Sequence, residues 1–186
     1  MTQAEIFILV AALSAEGFAG SWYTGALHRK LDEPLPAAMP VVLALIRSLV
    51  MMAGFFAGAA ISPFINDNKI IFGLILIFIT GLKISIETFR FNPEEKIILV
   101  DNFTTLLLWS VAGSFSVFLA GAGAGLGIAV SYTALAAFFL ISVPGSYAGL
   151  NFGARKGLRP GVRYMVLASG VLIAIISFRL LILLLL

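Results

Sequence analysis

The chain has 186 residues, of which 61% are hydrophobic and 11% are charged, and its mean hydropathy is +1.09. An ordinary soluble domain has about 45–50% apolar and about 25% charged residues, and so small a domain could not keep this much apolar surface away from water. The composition therefore predicts a membrane protein and excludes a soluble enzyme. The absence of cysteine excludes disulfides, thiolate metal sites and a cysteine nucleophile.

The net charge of +3 comes from basic residues that are scattered through short loops. Because they form no concentrated patch, we expect no nucleic-acid partner. The single histidine, His28, lies in one of these loops and is expected to be solvated. The sequence has no cluster of histidine and aspartate residues that would indicate an integral-membrane enzyme. We also expect no cofactor.

Six membrane-spanning helices are predicted, because a helix needs about 20 apolar residues to cross a hydrocarbon core of about 30 Å. The first three spans are 6–27, 41–65 and 70–89. Residues 102–154 contain no charged side chain and would be about 80 Å long as one helix, which is enough for two crossings. We place the hairpin between these two spans at Gly121–Gly127. The sixth span follows the loop Arg155–Arg163.

Basic residues in the loops predict the orientation of the chain. The loops after spans one, three and five contain Arg29, Lys30, Arg90, Lys96, Arg155, Lys156, Arg159 and Arg163, whereas the other side has only Lys69. By the positive-inside rule the first group is cytoplasmic, so both termini are expected on the non-cytoplasmic side. The N-terminus lacks a basic segment before its apolar stretch, so we expect it to remain as the first helix.

The two halves of the sequence resemble each other, which predicts a first three-helix repeat at 1–96 and a second at 97–186. The segment from Thr80 to Arg90 shares the frame small-Gly-x-x-Ile-x-Ile-x-x-Phe-Arg with the segment from Ser169 to Arg179. The further matches are Gly54 and Gly58 with Gly149 and Gly153, and Ser14, Glu16, Phe18 and Gly25 with Ser114, Ser116, Phe118 and Gly125. An odd number of spans per repeat makes the second repeat inverted. Each Gly-x-x-x-Gly face is also a candidate contact for a second copy or a membrane partner.

Four ionisable residues lie inside predicted spans, where each costs about 2.5 to 3.5 kcal/mol to insert unless it has a partner or a function. They are Glu16, Arg47, Lys83 and Glu87. One interpretation places Glu16 on a substrate or proton path, with Arg47 and Lys83 tuning its charge. The other interpretation is two structural ion pairs, Glu16 with Arg47 and Lys83 with Glu87, the latter four residues apart on one helical face.

These features resemble the small bacterial manganese exporters of the MntP family, within the LysE superfamily. The similarity lies in Ala12 to Ala19, which looks like the helix-one acidic motif with Glu in place of Asp, in Gly81 to Arg90, and in Gly145 to Lys156. The resemblance implies an all-α bundle of six transmembrane helices in the bacterial inner membrane. It also implies a metal site at Glu16 and Ser116.

The sequence departs from that family at the implied metal site. Ser116 stands where the resemblance implies a second aspartate, and Arg47 stands where it implies a carboxylate. Manganese prefers hard oxygen ligands, yet the four embedded charges sum to zero. Ser14, Ser116, Ser142 and a carbonyl freed by Pro144 are the neutral oxygens that remain to surround Glu16.

Three functions fit the sequence. The first is a secondary transporter that exports a small cation, with a divalent metal as the leading candidate, through a water-accessible site lined by Glu16 and Ser116. The second is a non-transporting membrane subunit derived from such a transporter. The third is an exporter of a small organic or amino-acid-like solute whose carboxylate is recognised by Arg47.

Overall fold

The computed structural model describes residues 3–31, 38–65, 68–90, 111, 113–127, 132–157 and 159–186. Within these ranges the regular secondary structure is entirely helical. The described α-helices are α1 (Gln3–Leu31), α2 (Met39–Ile61), α3 (Lys69–Arg90), α4 (Phe115–Gly125), α5 (Tyr132–Lys156) and α6 (Pro160–Leu185), and a 3-10 turn, Ser62–Phe64, extends α2. Residues 111 and 113, before α4, are also helical. This is the all-α architecture that the sequence predicts.

Five of these helices are long and apolar enough to cross a membrane. The exception among the described helices is α4, whose 11 residues correspond to about 16 Å, or half of a hydrocarbon core. Its predicted beginning at residue 102 and the predicted repeat boundary between residues 96 and 97 lie outside the described residues. The chain is therefore a multi-pass membrane protein, and its described residues contain five candidate spans and one shorter apolar helix.

The glycine-rich run Gly121–Gly127 is not the hairpin that the sequence predicts. Residues 121–125 form the last turns of α4, and a turn begins only at Leu126, followed by Gly127 with a φ of 111°. The run stays helical because it lies against α2, where a Cβ on Gly121 or Gly125 would overlap with the α2 backbone. The missing side chains therefore permit close helix packing here.

Helices α2 and α4 pack with their backbones in contact. A Cβ on Gly54 would overlap with the carbonyl oxygen of Phe118, and one on Gly58 would overlap with that of Ala122. The order of these contacts is the same along both helices, so α2 and α4 run in the same direction.

Helices α1 and α5 pack in the same way. A Cβ on Gly149 would overlap with the carbonyl oxygen of Phe18, and one on Gly153 would overlap with that of Trp22. These two helices also run in the same direction. Because both Gly-x-x-x-Gly faces are occupied within the chain, the prediction that they form a contact for a second copy or a membrane partner is wrong.

Helices α3 and α6 form a third close pair through Gly81 and Gly170. A Cβ on Gly81 would lie 2.7 Å from the carbonyl oxygen of Gly170, and one on Gly170 would lie 2.9 Å from that of Gly81. Between the helix pairs lies a core in which Leu13, Val117 and Ile173 have no exposed surface. Glu16 lies one helical turn beyond Leu13 on α1.

Polar contacts close one end of the bundle. Trp22 Nε1 donates to the carbonyl oxygen of Gly157 at 2.8 Å, and Arg163 donates to the carbonyl oxygens of Thr88 and Phe89 at 2.8 and 2.7 Å. His28 is 8% exposed in the last turns of α1. The prediction that it is a solvated loop residue is wrong, because α1 continues past it to Leu31.

Candidate functional site

Glu16, Arg47 and Ser116 meet at one point although they lie on three helices. Ser116 Oγ donates to Glu16 Oε1 at 2.7 Å, and Arg47 Nη2 donates to Glu16 Oε2 at 3.3 Å. The side chains of Arg47 and Glu16 are only 12% and 14% exposed. The predicted contact between Glu16 and Arg47 is confirmed.

Ser116 holds the carboxylate of Glu16 at the beginning of α4. It is the second residue of this helix and has no exposed surface. The hydroxyl of Ser116 contributes a hydrogen bond to this charged acceptor. Since Ser116 is fully enclosed, the prediction that it lines a water-accessible cavity is wrong for this conformation.

Arg47 lies against the backbone of α1 at Gly17. A Cβ on Gly17 would be 3.1 Å from Arg47 Nε and 3.2 Å from Arg47 Cζ. The small residue after Glu16 therefore leaves room for the guanidinium. Among the described residues, Arg47 Nε is a buried donor with no hydrogen-bond partner.

Lys83 and Glu87 form a second ion pair, separate from the first. Their charged atoms are 2.8 Å apart and both residues lie on α3, as the sequence predicts. Lys83 Nζ also lies 5.7 Å from the centre of the Phe115 ring, next to Ser116 in the chain. The structure therefore pairs Lys83 with Glu87 instead of directing it to Glu16.

The other predicted oxygen ligands have different surroundings. Ser14 Oγ donates to the carbonyl oxygen of Val10 in its own helix, at 2.8 Å. Ser142 lies in α5 beside Pro144, is 5% exposed, and its Oγ has no hydrogen-bond partner among the described residues. No hydrogen bond in the described ranges joins either serine to Glu16, so the site that the structure assembles is Glu16, Arg47 and Ser116.

The assembled site does not resemble a high-affinity metal centre. Within the described residues, no group of three or more His, Cys, Asp or Glu side chains could hold a metal ion. Glu16 is a single carboxylate, and one of its oxygens already contacts a cation. A metal ion at this position therefore meets one negative charge and one positive charge.

Two structural contributions are absent from the sequence interpretation. Gly17 accommodates Arg47, and its position directly after Glu16 is the signal that could have identified it. Arg163 donates to carbonyl groups at the end of α3, where carbonyls have no partner within the helix. Nothing in the sequence places these two segments together. The first affects the candidate site, and the second affects only the packing of the bundle.

Comparison with known proteins supports the resemblance to the MntP family. The chain is 29% identical over 117 residues to a protein from Aliarcobacter butzleri (strain RM4018) named "Putative manganese efflux pump MntP". This chain resembles the MntP proteins. The match covers 63% of this chain and spans 65% of the length of that MntP relative.

Two other comparisons gave no match. No protein-family model matches the chain. No solved structure matches it either. The MntP relative therefore supplies the comparison on which the functional proposal rests.

Proposed function

We propose that this protein is a secondary transporter of the bacterial inner membrane that exports a small cation, with a divalent metal such as manganese as the leading candidate. The observation that carries the proposal is Glu16, a carboxylate in the middle of α1 that contacts α2 and α4 inside a membrane protein. Ionisable groups at this depth mark ion and substrate pathways. The manganese assignment comes from the resemblance to the MntP relative.

The position of Glu16 between two tightly packed helix pairs supports alternating access. Glu16 belongs to the pair α1 and α5, whereas Arg47 and Ser116 belong to the pair α2 and α4. Glycine contacts make each pair a unit. The two pairs meet at the two side-chain hydrogen bonds of Glu16 and at apolar side chains, which include Leu13, Met51 and Leu150. Movement of one pair against the other would open the site without breaking either pair.

We also infer that the chain contains two inverted three-helix repeats. Phe18 and Phe118 are aligned positions, as are Gly54 and Gly149, and the Gly54 contact with Phe118 in one pair corresponds to the Gly149 contact with Phe18 in the other. Helices one and five are parallel, as are two and four. Six spans that alternate in direction explain both parallel pairs. Inverted repeats of this kind have the substrate site where the two repeats meet.

A second candidate function is a membrane subunit that has lost transport. The ion pair between Glu16 and Arg47 favours it, because the pair neutralises the carboxylate on which a cation would bind. Export of a solute with a carboxylate group is a third candidate. That one is favoured by Arg47 Nε, a buried donor without a hydrogen-bond partner among the described residues, which an anionic group would satisfy.

Transport by purified protein in lipid vesicles separates the three candidates. We would measure the movement of manganese, other divalent ions and a panel of amino acids. The cation exporter predicts manganese transport that Glu16→Gln abolishes and that Glu87→Gln, which removes a carboxylate 59% exposed on α3, leaves intact. Transport of amino acids alone would support the solute exporter, and no transport of either class would support the subunit.

The orientation of the chain can be tested separately. Because the natural sequence has no cysteine, single cysteines near each terminus can be labelled without background by a membrane-impermeant maleimide. Labelling of both sites in intact spheroplasts is the result we expect from the distribution of basic loops. Protection of both sites would reverse the orientation, and labelling of only one would contradict an even number of spans.

A further inference from the structure

We propose that Arg47 is a tethered counter-cation, which occupies the position of the transported ion on Glu16 and must leave before a substrate cation binds. The proposal rests on the cation-transport function proposed above. It assigns Arg47 the role of a specificity-determining residue within that site.

The first argument is the way in which the carboxylate is held. Ser116 contacts Glu16 at 2.7 Å, a short hydrogen bond, whereas Arg47 makes one contact at 3.3 Å. Strong arginine–carboxylate pairs frequently make two parallel bonds of about 2.7 to 2.9 Å. Arg47 is therefore held mainly by charge and by the space available to it, which makes it the exchangeable partner of Glu16.

The second argument is the state of the guanidinium itself. Arg47 Nε is buried without a hydrogen-bond partner among the described residues, beside Gly17. A buried polar group in this condition loses hydrogen bonds that it makes in water. The paired arrangement is consequently less favourable for Arg47 than a fully bonded one, and a competing cation has less stabilisation to overcome.

The third argument is the balance of charge. Two other acidic side chains of the described helices have their own basic partners, Glu87 with Lys83 and Glu5 with Arg179. Neither is bonded to Arg47. A substrate cation that arrives while Arg47 remains on Glu16 places two cations on one carboxylate, which is strongly unfavourable in a low-dielectric interior. Binding of the substrate and contact of Arg47 with Glu16 are therefore mutually exclusive.

The fourth argument is the geometry of the helix pairs. Arg47 on α2 reaches across the boundary to Glu16 on α1, so its bond joins the pair α2 and α4 to the pair α1 and α5. A cation that displaces Arg47 removes this bond. Substrate binding is thereby coupled to the movement that opens the site.

Manganese binding to the purified protein in lipid nanodiscs tests the proposal, with the loss of the electron paramagnetic resonance signal of free Mn²⁺ as the readout. Arg47→Gln should bind Mn²⁺ at least about tenfold more tightly than the natural protein, because a repelling charge is gone. Arg47→Lys should remain weak. Arg179→Gln is the matched control, since it removes an arginine from another Glu–Arg pair, and it should bind like the natural protein.

Competition by free guanidinium ion provides a second test. The ion can also stabilise the Arg47→Ala variant during purification, because it fills the position that the side chain leaves. In Arg47→Ala, guanidinium should occupy the vacated position and raise the apparent Kd for Mn²⁺ in proportion to its concentration. The natural protein should show no such competition. A merely structural arginine predicts no competition in either protein.

The possible results separate this inference from the transport proposal. Binding by Arg47→Gln that is no tighter than that of the natural protein overturns the role of Arg47, even if vesicles loaded with the natural protein export manganese. Failure of every variant to bind Mn²⁺ also overturns it. Tight binding by Arg47→Gln together with an inactive natural protein supports the tethered cation and replaces the transporter with the subunit.

Discussion

The two ion pairs inside the bundle have the same chemistry but different surroundings. Glu16 and Arg47 lie on different helices, and their side chains are 14% and 12% exposed. Lys83 and Glu87 lie one turn apart on α3, and the glutamate is 59% exposed. The first pair depends on tertiary structure and on exclusion of solvent, whereas the second is a local contact at the surface of one helix.

This difference shows why only one of the pairs is a candidate site. A pair four residues apart contributes about 0.3 to 0.5 kcal/mol where water solvates it. We expect this of Glu87, because it lies three residues before the end of α3 and can reach the aqueous interface. Removing one partner of a buried pair leaves an uncompensated charge at a cost of about 3 to 5 kcal/mol. The same isolation from solvent supports the proposed role of Glu16 in binding a cation.

The largest expected effect comes from breaking the buried pair. Glu16→Gln and Arg47→Gln should each lower the free energy of unfolding in detergent by about 3 kcal/mol, near the lower end of the range for buried pairs because some exposure remains. The double variant should lose less than the two single variants together. Denaturant titrations of all three proteins measure this. If neither single variant lowers the free energy of unfolding, the charges of Glu16 and Arg47 do not depend on each other.

The next effect is on metal binding when carboxylates are added to the buried pair. Ser116→Asp places a second carboxylate beside Glu16, and Ser116→Asp with Arg47→Glu also replaces the cation. We expect the natural protein to bind manganese most weakly and the double variant to bind it about a hundredfold more tightly. A gain only in the double variant would identify Arg47 as the residue that weakens the site. No binding in any of the three would separate the MntP-like fold from manganese chemistry.

Ser116→Ala should have an intermediate effect on stability. It removes the 2.7 Å hydrogen bond to Glu16, and a hydrogen bond to a charged group contributes about 1.5 to 3 kcal/mol. Ser177→Ala is a matched control, because Ser177 is equally buried on α6 but donates to the Ile173 carbonyl oxygen of its own helix. Equal losses in denaturant titrations of these variants would argue against a special role for Ser116.

The smallest expected effect comes from the exposed pair. Glu87→Gln should change the free energy of unfolding by about 0.5 kcal/mol or less, and it should leave metal binding unchanged. Lys83→Gln should cost slightly more, because Lys83 also lies over the Phe115 ring. A loss of about 2 kcal/mol or more for Glu87→Gln would remove the distinction between the two pairs.

The sequence by itself predicted the first three helices, and it offered the two ion pairs as one of two interpretations. Apolar runs bounded by charges predicted α1, α2 and α3 to within a few residues, because the length of a span follows from the thickness of the bilayer. Lys83 and Glu87 were predictable from helical spacing alone. Glu16 and Arg47 could be paired because each would otherwise be an isolated charge in hydrocarbon.

The tertiary structure alone decided how the glycines are used and what surrounds Glu16. A glycine run is equally compatible with a hairpin and with a tightly packed helix, and the contact of Gly121 and Gly125 with α2 selects the helix. The Gly54 and Gly149 faces could equally have met a second copy, but the chain occupies both itself. Ser116 and Gly17 acquire their roles from side chains distant in sequence, since the packing of three helices, and no local pattern, brings a hydroxyl and a guanidinium to one carboxylate.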